Sequence, residues 1–333
     1  MKRILLTGIS GFVGSHVLAY VLKNTDWEVI GIASWKHKGT PERIQDDDTY
    51  QEQKHRVTII THDLESPLTE LTKKRIGHID YILNLASDSH VDRSITDPVP
   101  FIQNNVNSVL TMLELAREIK PEIFLQFSTD EVYGAAPVGV NHAEWATILP
   151  SNPYSASKAA QEAIAASYWR TYDVPVIITN CMNLFGERQD KEKYLAMCIS
   201  KISKGETVSV HGNEKYIGSR FYIHARNAAN ALLYIFKNLP PKLYDEEGVN
   251  RPDRYNIVGE EEINNLEMAK IIADILGKPL KYSLVDFHAA RKGHDRRYAL
   301  SGEKLKKAGW TPAINLHDSL KKYIDWAVSH PDW

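Results

Sequence analysis

Thr7-Gly8-Ile9-Ser10-Gly11-Phe12-Val13-Gly14 stands between a short apolar run, Ile4–Thr7, and a segment with helical periodicity, Val13–Lys23. Its three glycines, Gly8, Gly11 and Gly14, fall at a GxxGxxG spacing. Glycine lets a backbone turn tightly out of a strand. It also lets the chain approach a pyrophosphate, which then rests on the N–H groups of the helix start. A glycine pattern alone is weak evidence. At the first strand–turn–helix of an alternating chain it marks a dinucleotide turn.

Outward from that turn the alternation persists. Glu28–Ala33, Val57–His62, Tyr81–Ala86, Ile123–Ser128 and Val174–Asn180 read as strands, and Phe101–Ile119 and Tyr154–Tyr172 as helices. Such a succession implies right-handed βαβ units. The expected fold is therefore α/β, a Rossmann-type doubly wound parallel sheet covered on both faces. Lys36–Gln53 carries Pro41 and the run Asp46-Asp47-Asp48, and reads as a surface loop or helical insertion. The regularity fades after about residue 185, although Asn264–Leu276 and Leu316–Ser329 still look helical. We expect a dinucleotide-binding domain over 1–180 and a smaller mixed α/β substrate domain over 181–333. The stretch 215–258 is the one expected to pack back on the first domain.

Composition narrows the partners. The 333 residues carry 40 Lys plus Arg against 42 Asp plus Glu, a formal charge of −2, so no basic field invites nucleic acid or an anionic membrane. Core-building residues at 43% and charged residues at 25% are globular values that exclude long disorder. Cys181 and Cys198 make no metal or redox spacing, and a reducing, cytoplasmic setting is the economical expectation. The start, Met1-Lys2-Arg3-Ile4-Leu5-Leu6, reads as a strand rather than a leader, because Gly8, Ser10 and Gly11 interrupt it. No metal is expected: the 13 histidines show no HExxH or HxH pairing.

Two clusters carry chemistry. Tyr154 and Lys158 stand at i, i+4 on one helix face. A nearby ammonium favours the phenolate, which can accept an alcohol proton as hydride leaves. Thr129-Asp130-Glu131 follows the fifth strand, at the carboxyl edge where open α/β sheets bind ligands. Adjacent carboxyls after a hydroxyl make sense as an acid and a base with split pKa values. Around the cofactor, Ala33 and Ser34 stand where an acidic residue usually meets the adenosine ribose. With Lys36, Lys38 and Arg43 close by, NADP is expected ahead of NAD. Asp63 and Leu64 are placed near the adenine, and Leu85, Ala86 and Ser87 where the fourth strand ends against the cofactor.

These residues together resemble the extended short-chain dehydrogenase/reductases, and among them the nucleotide-sugar 4,6-dehydratases. The resemblance spans nearly the whole chain, through TGISGFVGSH (7–16), ASDSHVDRSI (86–95), FIQNNV (101–106), STDEVYG (128–134), NPYSASKAAQE (152–162), TNCMNLFG (179–186) and GHDRRYAL (293–300). It implies a redox-neutral reaction on a dTDP- or UDP-linked glucose. Tyr154 takes the C4 hydroxyl proton while Thr129 holds that oxygen, Glu131 removes the C5 proton, and Asp130 protonates the leaving C6 hydroxyl. Lys158 holds the nicotinamide ribose. The resemblance also places Phe12 and Val13 on the pyrophosphate turn and Asn105 near the cofactor. It gives Ser89, Asn183, Lys193, Val210, His211, Arg220, Asn265, His294 and Arg296 to the sugar nucleotide. It implies a homodimer through a four-helix bundle. A 4-epimerase, a 5,6-dehydratase and a non-catalytic dinucleotide-binding protein are the rival readings. The chain departs from the family pattern at Ala33–Ser34. It departs again at Glu187–Glu192 in place of a Pro-rich segment, and at Gly218 where a phosphate-binding Arg is usual, with Arg220 two residues on.

Overall fold

The computed structural model describes residues 1–36, 38–286, 293 and 295–333. Thirteen strands are found among them. In chain order they are β1 (Arg3–Thr7), β2 (Glu28–Ala33), β3 (Val57–Thr61), β4 (Tyr81–Asn84), β5 (Ile123–Thr129), β6 (Val176–Cys181), β7 (Asn183–Phe185), β8 (Val208–Asn213), β9 (Tyr216–Ile217), β10 (Ser219–His224), β11 (Asp253–Ile257), β12 (Glu262–Asn264) and β13 (Tyr282–Val285). Seven form one parallel sheet in the order β11-β6-β5-β4-β1-β2-β3. The chain runs outward from β1 through β2 and β3, then returns to lay β4 on the other side of β1. The crevice at that reversal lies beyond the carboxyl ends of β1 and β4, where this topology binds ligands.

Continuous apolar strands such as Ile4-Leu5-Leu6 need cover on both faces. Helices α1 (Phe12–Asn24) and α9 (Ala225–Asn238) pack on one face, with Val17, Val21, Leu232 and Phe236 in a shared apolar cluster. Helices α6 (Pro98–Ile119) and α7 (Pro153–Tyr172) cover the other, through Val109, Met112, Leu113, Ala165 and Trp169. Two three-stranded sheets, β12-β10-β7 and β13-β8-β9, belong to the C-terminal part. They pack with helices α8 (Tyr194–Ser203) and α10 (Asn265–Leu276) around a separate cluster.

Differences from the sequence reading have local causes. β4 ends at Asn84 rather than Ala86, because Leu85 and Ala86 turn their N–H groups to Thr7 Oγ1. The insertion after β2 holds two short helices, α2 (Glu42–Gln45) and α3 (Asp48–Gln53). Asp47, in the acidic run, caps α3 by accepting from Tyr50 N–H. Within 215–258, the stretch expected to pack back on the first domain, helix α9 and strand β11 were not themselves assigned, although Ala228, Ala231, Leu232 and Ile235 repeat at helical spacing. β11 joins the large sheet beside β6, so residues 253–257 lie with the N-terminal half. No helix among the described residues is long and apolar enough to cross a membrane.

Candidate active site

The glycine turn leaves β1 through Gly8, at φ +65°, and returns Gly11 N–H to Gly8 O. A Cβ on Gly14 would stand 2.1 Å from Gly8 O, so only glycine lets α1 start this close to the turn. No side chain caps the start of α1, and its first turn holds no acidic residue. An uncapped helix start aimed into a cleft is a seat for an anion. Gly8, Gly11, Phe12, Val13 and Gly14 line a cleft of about 890 Å³, and so do Ser34, Lys36, Asp63, Leu64, Leu85, Ala86 and Ser87. This volume falls within the usual span of ligand sites, about 300–1,000 Å³. The described residues therefore fit an elongated diphosphate cofactor.

The cations expected at its far end are largely engaged. Lys36 is ion-paired with Asp63, and that bond holds Asp63 below its ordinary value. Lys38 meets Asp190 at 3.5 Å and Glu192 at 3.4 Å. Arg43 is buried, with Nε donating to Arg188 O at 3.0 Å and a terminal nitrogen to Asp190 at 3.1 Å. Arg43 is thus a clamp between the α2 insertion and the 187–192 segment. Arg188 reaches Asp47 at 3.1 Å from the other side. Behind the turn, burial raises the Glu187 carboxyl, yet His224 and His16 bring it down to about 2.

At the opposite end β5 delivers Thr129, Asp130 and Glu131 to the cleft wall. Thr129 Oγ1 donates to Asp130 Oδ1 at 2.8 Å and accepts the Glu131 N–H at 3.3 Å. Asp130 Oδ2 is buried without a partner. Burial, then the neighbouring Glu131 charge, push Asp130 up to about 7, against the Thr129 hydrogen bond. Burial also raises Glu131, but Asn152, Arg220 and Lys193 favour its ionised form. The two adjacent carboxyls therefore differ in surroundings: Asp130 is pushed up to about 7 with one oxygen unpartnered, while Glu131, also raised by burial, is faced by Asn152, Arg220 and Lys193. Asn152 Nδ2 and Tyr298 Oη lie 3.3 and 3.4 Å from Glu131 Oε2.

Tyr154 enters the same wall from the first turn of α7, which begins with Pro153 and a capping box at Asn152. Burial, then Glu131 and Asp130, raise its phenol well above the ordinary value, while a Thr129 hydrogen bond lowers it. The phenol is thus protonated in this state, not primed as the bare Tyr/Lys pairing suggests. Lys158 is nearly inaccessible, and burial lowers it to about 8. Its ammonium donates to Phe127 O at 2.8 Å and Gln161 Oε1 at 2.6 Å.

Ser89, Asn183 and Lys193 line the cleft near these groups, and Asn183 Oδ1 is buried with no partner. A side pocket of about 200 Å³ opens between Glu131, Asn183, Lys193, Arg220, Asn265 and Tyr298. Arg220 stacks over the Tyr298 ring at 4.5 Å and donates to the carbonyls of Ser219, Asp295 and Arg296. Asn265 Oδ1 accepts from Tyr222 Oη at 2.8 Å.

Other expected contacts fall elsewhere. Asn105 is fully buried and saturated by Asp88 and Ser157, so it fixes the loop after β4 rather than facing a cofactor. Val210 sits in the C-terminal core, and with His211 it lines neither cavity. Arg296 lies over the Tyr216 ring at 5.4 Å and also lines neither. His294 lies outside the described residues. Tyr298 was not singled out, although it stands within the quoted 293–300 motif. Its only sequence signal was that position.

A family model described as GDP-mannose 4,6 dehydratase matches residues 5–323. The chain is 33% identical over 323 residues to the low-salt glycan biosynthesis protein Agl12 of Haloferax volcanii, covering 97% of each. It is 31% identical over 356 residues to dTDP-glucose 4,6-dehydratase 1 of Escherichia coli, covering 99% of this chain and 94% of that one. A similar solved structure is the dTDP-glucose 4,6-dehydratase DesIV of Streptomyces venezuelae, with NAD bound. It has a TM-score of 0.84 and 29% identity, and the match covers 100% of this chain and 98% of that one.

Proposed function

The chain belongs to the nucleotide-sugar 4,6-dehydratase family of extended short-chain dehydrogenase/reductases, and on that premise we propose that it converts a nucleoside-diphosphate hexose to the 4-keto-6-deoxy sugar. The observation that carries this reading is the pair Asp130 and Glu131, unlike in their surroundings and placed on one wall with Tyr154. A 4-epimerisation needs one acid–base group at C4. It has no use for a second, protonated carboxyl.

When bound, the dinucleotide supplies a hydride acceptor at C4 that gives the hydride back at C6. Tyr154 Oη takes the C4 hydroxyl proton once its phenol is drawn down by positive charge in the filled cleft. Thr129 Oγ1 holds the C4 oxygen. The ketone formed there acidifies the C5 proton, which Glu131 removes. Asp130 passes its proton to the C6 hydroxyl, and water leaves. A proton returns to C5, so atoms and charge balance with the loss of one water. Asn183 and Lys193 face the sugar and its diphosphate, with Arg220 and Asn265 in the side pocket beyond. Residues 1–180, with α9 and β11, hold the dinucleotide, and most of the remainder holds the sugar nucleotide.

dTDP- and UDP-glucose are the favoured substrates. For the cofactor, the absent carboxylate at Ala33–Ser34 leaves space for a 2′-phosphate. Yet Lys36, Lys38 and Arg43 are already paired with carboxylates, which favours NAD over the NADP expected from sequence. Exposed Ile95 just before α6, exposed Val99 and Ile102 in its first turns, and exposed Ala163 on α7 mark where we place a second copy. Light scattering behind gel filtration tests that placement, and a monomeric wild type would overturn it.

The deciding experiment incubates the protein with dTDP-, UDP-, GDP- and CDP-hexoses and reads product mass. Loss of one water, with NMR placing a ketone at C4, supports the proposal. An unchanged mass with inverted C4 would replace it by epimerisation.

A further inference from the structure

Beneath the cleft four neutral side chains with no solvent access run in a line: Thr7, Asn84, Gln126 and Gln161. Thr7 Oγ1 accepts the Leu85 and Ala86 N–H groups at 3.0 and 2.9 Å and donates to Asn84 Oδ1 at 2.8 Å. Asn84 Nδ2 donates to Gln126 Oε1 at 2.8 Å. Gln126 Nε2 donates to Gln161 Oε1 at 3.2 Å, the oxygen that also accepts from Lys158 Nζ. Gln161 Nε2 donates to Asn105 O at 2.7 Å. Each amide has its orientation forced by the next, because a flip would set two donors or two acceptors face to face.

One end of this line is the dinucleotide turn: Ala86 Cα would be 3.2 Å from a Cβ on Gly8. The other end is Lys158, the one member that lines the cleft. Burying four polar side chains costs free energy unless all are satisfied, and apolar residues of similar size fill such space more cheaply. These amides line neither cavity, and they converge on one ammonium. Of that ammonium's three donors, Gln161 and Phe127 O use two, leaving one for a hydroxyl in the cleft.

We propose that Gln161 is a positioning residue that fixes Lys158 Nζ on the cleft wall, and that the Thr7–Asn84–Gln126 line ties Gln161 to the dinucleotide turn as one hydrogen-bonded unit. This rests on the reading of Lys158 as a ligand of the nicotinamide ribose. Seating the diphosphate and presenting the ammonium are then a single structural event.

Dinucleotide-free protein titrated calorimetrically with NAD and NADP provides the test, independent of any turnover. Gln161→Leu weakens binding of the preferred dinucleotide about 10-fold, the loss expected for one charge-assisted hydrogen bond. Gln161→Glu keeps an acceptor for Lys158 but loses the donor to Asn105 O, so it binds more tightly than Gln161→Leu and less tightly than wild type. Asn84→Leu touches neither Lys158 nor the cleft, yet weakens binding, and its effect combined with Gln161→Leu is less than additive. The pH at which affinity falls separates positioning from mere packing. Lys158 binds as the cation, so a carboxylate at 161 moves that fall upward and leucine moves it downward. The other titratable groups about Lys158 are unchanged across the series: Glu162 with its partner Arg254, Tyr154, Asp130, Glu131 and Cys181. Wild-type affinity in folded Gln161→Leu, or one common pH midpoint in all three proteins, overturns the inference. Gln161→Glu is close to isosteric and keeps the comparison decidable if the leucine variant does not fold. Absence of dehydration by the wild type would sink the proposed function while leaving this binding comparison able to decide.

Discussion

At the adenosine end of the cleft Lys36 meets Asp63, and Lys38 and Arg43 both meet Asp190. At the catalytic end Asp130 and Glu131 share one wall, and among the described residues neither makes an ion pair. The Lys36 and Lys38 pairs lie near solvent and contribute little, while the buried Arg43 holds the α2 insertion against the 187–192 segment. Unpaired carboxyls in a dry wall raise the free energy of the fold and shift their own pKa values. The first arrangement binds and encloses. The second stores the proton imbalance that acid–base chemistry needs. Burial, with the Glu131 charge beside it, keeps Asp130 near 7 instead of in the ordinary carboxylate range, against the Thr129 hydrogen bond and the more distant Arg220 charge.

The largest expected effect breaks the catalytic end. Glu131→Gln removes the base and lowers dehydration by about 10²–10⁴-fold. Oxidation at C4 survives, visible as reduced-nicotinamide absorbance on adding substrate. Full turnover by this variant would remove Glu131 from its role. Next comes the cradle: Gly14→Ala forces a methyl against Gly8 O and lowers dinucleotide affinity by about 10-fold or more, read by calorimetry.

Asp130 sharpens the contrast through pH. Its folded pKa, about 7, lies above the ordinary value of 3.8. The stability its protonation confers is complete below pH 3.8 and is lost as pH rises through 7. Turnover should therefore fall on the alkaline side near pH 7. Asp130→Asn should raise the thermal midpoint more at pH 8 than at pH 4. Equal shifts at both pH values would show that folding does not raise the Asp130 pKa.

The smallest effect is expected at the paired end. Asp190→Asn leaves Arg43 buried with a weakened partner and costs about 1–3 kcal/mol of stability. Sugar-nucleotide turnover stays within about threefold, because no reacting atom lies there. A loss of turnover comparable to that of Glu131→Gln would erase the distinction between the two ends.

The glycine turn, the alternation up to β6 and the pair Tyr154/Lys158 were legible because each is a local pattern on one strand–helix unit. Thr129-Asp130-Glu131 was legible for the same reason: a strand end with two carboxyls is conspicuous at any distance from its partners. Tyr298 and Arg220 were harder. They reach Glu131 from residues more than eighty positions away, across pairings of β10 that no local period encodes. Val210 and Asn105 show the opposite limit. The resemblance places them near a ligand, and the structure sets Val210 in the C-terminal core and gives Asn105 backbone and side-chain partners.

Sequence alone determined the parallel sheet and the place of the dinucleotide turn, and it singled out Thr129-Asp130-Glu131 and Tyr154 as candidate acid–base groups. These follow from period, glycine spacing and side-chain chemistry, which do not depend on distant residues. Only the tertiary structure decided which cations are paired, how burial and neighbours set Asp130 apart from Glu131, and what holds Lys158. Those depend on burial and on partners brought together by the crossing of β4 over to the far side of β1. Desolvation and Coulomb energy are set by distance in space, and spacing along the chain does not contain it.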